Sequence, residues 1–113
     1  MIGIGLAIAK YLLSAQPPHN VVVLARSAEP LVQLQNEYPT QVEYVTGDIA
    51  DFSLAETAVQ RALVSFGRVD GLVLNHGVVA PVADVARADV GQWKSGFDVN
   101  FFSLVAFVRG KVL

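Results

Sequence analysis

The chain has 113 residues, enough for one small domain. Its residues are 53% hydrophobic and 16% charged, which excludes a disordered tail and suits a core sheltered on several sides. A net charge of -2 and the lack of any basic run exclude a footprint for phosphate backbones, so no nucleic-acid partner is expected.

With no cysteine, disulfides and thiolate-metal sites are excluded, and a reducing, cytoplasmic setting is expected. Residues 71 to 83 are uncharged, but they are only 13 in number and include Asn75, His76 and Pro81. A membrane-spanning helix needs roughly 20 apolar residues, so no membrane partner is expected. The apolar run Ile2 to Ala9 before Leu13-Ser14-Ala15 has the outline of a secretory signal. No positive charge precedes it, however, and Lys10 interrupts it.

In chain order, residues 4 to 15 read as a helix with Leu6, Ile8, Ala9, Leu12 and Leu13 on a broad apolar surface, ended by Pro17-Pro18. Val21 to Leu24 is a β-branched run without alternation, the pattern of a strand buried on both faces. A second helix is predicted over 28–37, with Ser27 as N-cap, Pro30 in its first turn and Pro39 beyond its end. Val42 to Thr46 is a second strand. Ser53-Leu54-Ala55-Glu56 has the form of a capping box, and Ala55, Val59, Ala62 and Phe66 come after it at helical spacing until Gly67. Gly71 to Asn75 reads as a third buried strand, followed by a loop with Gly77 and Pro81. Residues 89 to 109 read as a short and a long helix, with Trp93, Phe97, Phe101, Leu104 and Val108 along one side. Strands alternating with helices imply parallel strands and right-handed crossovers, hence a doubly wound α/β sheet.

Several short motifs carry chemistry. Gly3-Ile4-Gly5 opens a helix, where free N–H groups and the helix dipole suit a pyrophosphate. Arg26 comes after the first strand, at the place where dinucleotide folds meet the adenosine ribose. Asp48-Ile49 ends the next strand, and Asp48 is equally a turn residue. Asn75-His76-Gly77 comes after the third strand, and Gly77 allows close approach of backbone to a ligand. His76 has no titratable partner nearby in sequence, and a structural role is favoured over acid–base work. Asn100 sits inside the last helix.

In order and spacing these motifs resemble the cofactor half of the short-chain dehydrogenase/reductase family. Gly3 and Gly5 are similar to the last two glycines of Thr-Gly-x-x-x-Gly-Ile-Gly. Asn75-His76-Gly77 resembles the end of Asn-Asn-Ala-Gly, with Leu74 in place of the first Asn and His76 in place of Ala. The resemblance implies a partial Rossmann-like NAD(P)-binding domain over residues 1–113. Within it, Gly3, Ile4, Gly5, Arg26, Asp48, Ile49, Asn75, His76 and Gly77 would bind the cofactor. Asp48 would accept from the adenine amino group and Ile49 would line the adenine slot. Ala25 stands at the usual acidic position and Arg26 is next to it, so NADP is expected in preference to NAD. Asn100 would be the catalytic residue, holding a water in the family's proton relay.

The family's Tyr-x-x-x-Lys has no counterpart. Four residues after Tyr11, Tyr38 and Tyr44 stand Ala15, Val42 and Asp48. The resemblance thus implies a chain truncated at both ends, lacking the first strand and the catalytic pair. Its parent would move a hydride between nicotinamide and a small carbonyl or alcohol. Two other readings stand beside it. One is a non-catalytic nucleotide-binding module that pairs with a full-length relative. The other is a sugar-nucleotide epimerase-like relative using the same nucleotide half. In a 3-2-1-4 strand order the absent strand is central, so a homo-oligomer or strand-mediated association is expected.

Overall fold

A computed structural model gives the fold, and it describes residues 3–79 and 82–112. The element order is α1 (Ile4–Ser14), β1 (Val21–Ala25), α2 (Ala28–Glu37), β2 (Val42–Thr46), α3 (Ser53–Phe66), α4 (Val90–Phe97) and α5 (Ser103–Val112). A 3₁₀ turn, Val85–Arg87, precedes α4, and a π turn, Asp98–Phe102, joins α4 to α5. The first five elements match the sequence reading closely. Pro81, expected in the loop after residue 77, lies outside the described residues.

β1 and β2 pair in parallel, from Val21 beside Val42 to Ala25 beside Thr46. Side chains alternate between the two faces of this ribbon. On one face Val23 and Val42 join Ala9 and Leu13 of α1 and Leu31 and Leu34 of α2 in a buried cluster. On the other, Val45 joins Ala55 and Ala58 of α3 and Phe107 of α5, with Val22 and Leu24 against them. Helices on both faces of a parallel ribbon make this a doubly wound α/β arrangement. The non-alternating apolar code of β1 results from that double cover.

Three local expectations are corrected. Residues 71–75 form no strand. Leu74 packs against the second cluster, but the neighbouring side chains of Leu72 and Val73 are exposed. A strand needs a ladder, and among the described residues β1 pairs with β2 alone. Next, the capping box does not form. The Asp51 carboxylate instead accepts from the Ser53 N–H at 3.1 Å and the Ser53 hydroxyl at 2.7 Å. Ser27 does occupy the N-cap of α2, yet its hydroxyl makes no capping bond. Gly67 ends α3 in the left-handed conformation, φ 80°, as expected.

The third correction concerns the last helix. The expected apolar side is exposed: Trp93 by 40%, Phe97 and Phe101 by 53%, Val108 by 49%. The buried side is Gly96, Ser103 and Phe107. Small residues decide this choice. A Cβ placed on Gly110 would lie 3.6 Å from Val59 and 3.8 Å from the Ala55 carbonyl oxygen, so α5 approaches α3 closely. Ala55, Ala58 and Ala62 make that face of α3 shallow. Phe107 packs over Ala55 and Ala58, and Trp93, Phe97 and Phe101 lie on the other side, exposed.

The free edge of β1 can be read residue by residue. The Val21 N–H donates to the Gln41 carbonyl at 2.8 Å, and the Ala25 carbonyl accepts from the Gly47 N–H at 3.1 Å. Backbone polar groups alternate along a strand, so Val21, Val23 and Ala25 face β2, and Val22 and Leu24 face away. We predict that in the dilute monomer the Val22 and Leu24 amides exchange with solvent far faster than those of Val23 and Ala25, and that association at higher concentration slows them. Hydrogen exchange resolved by NMR checks this. Size-exclusion chromatography should show self-association, since unpaired apolar edges recruit strands. Uniform protection along β1 in a sharp monomer would contradict the assignment of its edges.

Candidate functional site

Parallel strands place the residues after their C-terminal ends on one side of the sheet. Arg26 comes directly after β1 and Asp48 shortly after β2. α1 runs back against the strands, so its N-terminus, Gly3 to Gly5, lies toward that same side.

Gly3 has φ 73° and ψ −143°, a conformation open to glycine alone. Its carbonyl accepts from the Ala7 N–H at 3.2 Å and starts the helix. Ile4 is 72% exposed beside it. Gly5 serves a different need. A Cβ there would sit 2.8 Å from the Asn75 Nδ2 atom. The second glycine therefore lets the Asn75 amide against the start of α1, joining two motifs separated by 70 positions in the chain.

Arg26 and Asp48 meet directly, Nη2 to Oδ2, at 3.0 Å. The other oxygen of Asp48 accepts from the Ala50 N–H at 2.9 Å, closing a local turn. The Ala50 N–H, then Arg26, hold the Asp48 carboxyl below its ordinary range. Asp48 is thus both a turn residue and the partner of a cation. Ile49 is half-buried and packs on the second apolar cluster.

The third group lies between the 75–79 segment and the last helix. The Asn100 side chain clamps one peptide unit from both ends. Its Oδ1 accepts from the Val78 N–H at 2.7 Å and its Nδ2 donates to the Val78 carbonyl at 2.8 Å. Gly77 runs close by, where a Cβ would lie 3.4 Å from the same Oδ1. His76 Nε2 lies 2.6 Å from the Ser103 hydroxyl, which donates to the Val99 carbonyl, also at 2.6 Å. Burial pushes the His76 pKa down, and a hydrogen bond to the Val99 backbone opposes this in part. No group of acidic, histidine or cysteine side chains among the described residues is arranged to hold a metal ion.

Every expected site residue therefore falls in one of three groups: Gly3, Ile4, Gly5 and Asn75; Arg26, Asp48 and Ile49; His76, Gly77 and Asn100. Sequence reading missed Ser103 and the Val78 peptide. Ser103 stands three residues after Asn100, and nothing in a serine within an apolar helix marks it. It is also among the most buried side chains, 1% exposed.

A family model for the short chain dehydrogenases matches residues 1–112. The chain belongs to the short chain dehydrogenase family. It is 41% identical over 106 residues to an uncharacterized oxidoreductase of Saccharomyces cerevisiae, covering 94% of this chain and 42% of that protein. It is 36% identical over 111 residues to a benzil reductase, (S)-benzoin forming, of the same yeast, again covering 94% and 42%. A crystal structure of a short chain dehydrogenase/reductase from Saccharomyces cerevisiae superposes with a TM-score of 0.92 at 39% identity, covering 97% of this chain and 44% of that one. The chain thus spans less than half the length of these relatives. No helix among the described residues is long and apolar enough to cross a membrane.

The lowered His76 pKa makes a pH prediction. In the unfolded chain the imidazole takes up its proton near the ordinary value of 6.5, whereas in the fold it does so only at lower pH. The unfolded state therefore binds more protons between those two values, and stability falls as pH drops through that window. Above it the contribution is complete, and below it the loss levels off. Urea denaturation from pH 8 to 5 should show this step, and His76→Gln should remove it.

Proposed function

We propose that this chain is the nucleotide-binding part of an NADP(H)-dependent short chain dehydrogenase acting on small carbonyl or alcohol substrates. The observation that carries the reading is Arg26, held beside the end of β1 by Asp48. The guanidinium has five N–H donors and one is directed to Asp48, leaving others for a ribose 2′-phosphate. An acidic residue in the preceding position would repel that phosphate, and here it is Ala25. The conformation of Gly3 and the close approach at Gly5 support a pyrophosphate at the start of α1. Asp48 and Ile49 suit the adenine ring, by acceptance from its amino group and by apolar cover. Asn75, His76 and Gly77 would bring backbone toward the nicotinamide half.

The nicotinamide supplies or takes the hydride when bound. The residues of this chain bind and orient it, and Asn100 holds the adjacent Val78 peptide. None of its tyrosines has a lysine four residues later, so the acid–base pair of the family is not in these 113 residues. We therefore assign the chain cofactor binding without turnover, in one domain over residues 1–113 and in a cytoplasmic setting. A second reading is favoured by the free edge of β1: a non-catalytic module that associates with copies of itself or with a full-length relative through that edge.

A charge-assisted hydrogen bond contributes about 1.5–3 kcal/mol, so Arg26→Ala should weaken NADPH binding about 10- to 100-fold and leave NADH nearly unchanged. Fluorescence titration of both nucleotides measures this. Equal losses for both would make Arg26 structural. NADPH oxidation with a panel of ketones that includes benzil should give no turnover. Reproducible activity abolished by Asn100→Ala would refute the assignment of binding without catalysis.

A further inference from the structure

Residues 75–79 form no strand, yet they carry the backbone assigned above to the cofactor. Something other than a sheet ladder holds them. We infer that His76 and Ser103 are positioning residues, whose hydrogen bond fastens this segment to the last helix so that Asn100 can clamp the Val78 peptide. The role of the held backbone rests on the nucleotide-binding reading, but the bond network itself does not.

A backbone carbonyl can only accept, so the Ser103 hydroxyl donates to Val99 at 2.6 Å. The Ser103 oxygen accepts from His76 in the tautomer that carries its hydrogen on Nε2. This bond bridges 27 positions of sequence, and the two Asn100 bonds to Val78 each bridge 22. Together they form one polar seam between nearby residues of the segment and adjacent turns of the helix.

The Ser103 N–H donates to the Asp98 carbonyl, five residues back, within a π turn. Asn100 and Ser103 stand three residues apart, and residues at that spacing are neighbours on a helix surface, so both address the segment. The Phe107 ring, with its centroid 6.3 Å from that of His76, supplies apolar cover. The imidazole faces Ser103, the Val99 backbone and Phe107, and no charged side chain contributes to its shift. His76 stands where the family pattern that this chain resembles has alanine. The fastening is thus tied to the particular residues of this chain.

The test is amide exchange of the 113-residue chain, measured by NMR without nucleotide. His76→Ala and Ser103→Ala should each speed exchange of the Val78 amide about 10-fold, the scale of one lost hydrogen-bonded contact. The double variant should be no faster than either single one, because the two residues act as one bond. His76→Gln, whose Nε2 can still donate, should restore protection in part. Far-UV circular dichroism confirms that each variant keeps its helices. Val78 protection unchanged in both single variants, or additive losses in the double variant, would overturn the inference. The exchange readout needs no bound cofactor, so failure to bind NADPH counts against the proposed function and leaves this result intact.

Discussion

The parallel pairing of β1 with β2 is the interaction on which the rest of the molecule depends. It consumes the backbone groups of Val21, Val23 and Ala25 and sets the register of both strands. It also gives α1, α2, α3 and α5 a surface to cover. α1 and α2 bury Leu13, Leu31 and Leu34 against one face, and α3 and α5 bury Ala55, Ala58 and Phe107 against the other. Because the strands run the same way, their exits lie side by side, which puts Arg26 within 3.0 Å of Asp48. The candidate nucleotide site is in this sense a consequence of strand direction.

Among the described residues the other edge of β1 has no ladder. Residues 71–75 have a strong strand composition and no ladder partner among the described residues. Side-chain burial alone does not make a strand when the backbone groups have no partner in the sheet. The segment is held by Leu74 packing on the second cluster and by the His76 and Asn100 contacts to the last helix. Apolar packing positions it roughly, and the directional bonds fix the Val78 peptide.

The last helix shows how small residues can outrank large ones. α4 and the π turn after it carry a Trp93–Phe97 stack with ring centroids 6.4 Å apart and an edge-on Phe101–Phe102 pair at 5.2 Å, all substantially exposed. The contact with α3 is made instead by the side bearing Ser103, Phe107 and Gly110. Close axes need small side chains, and the alanines of α3 meet that need. An apolar helix side seeks cover but does not specify which neighbour provides it.

What the sequence determined by itself was local and periodic. Residues 28–37 and 42–46 were legible to the residue, because prolines and β-branched runs act over one or two turns of chain. The α/β class came from alternation, and the glycines, Arg26, Asp48 and Asn100 were legible as motifs whose spacing the fold preserves. Tertiary structure alone decided the contacts between distant residues. It paired Arg26 with Asp48, seated Asn75 on Gly5, and joined His76 to Ser103. It also denied residues 71–75 their ladder and turned the aromatic stripe outward. Each of these depends on which surfaces meet across long stretches of chain. Hydrogen bonds and close packing act over a few ångströms in space, and no local pattern encodes the neighbour that the completed fold brings into reach.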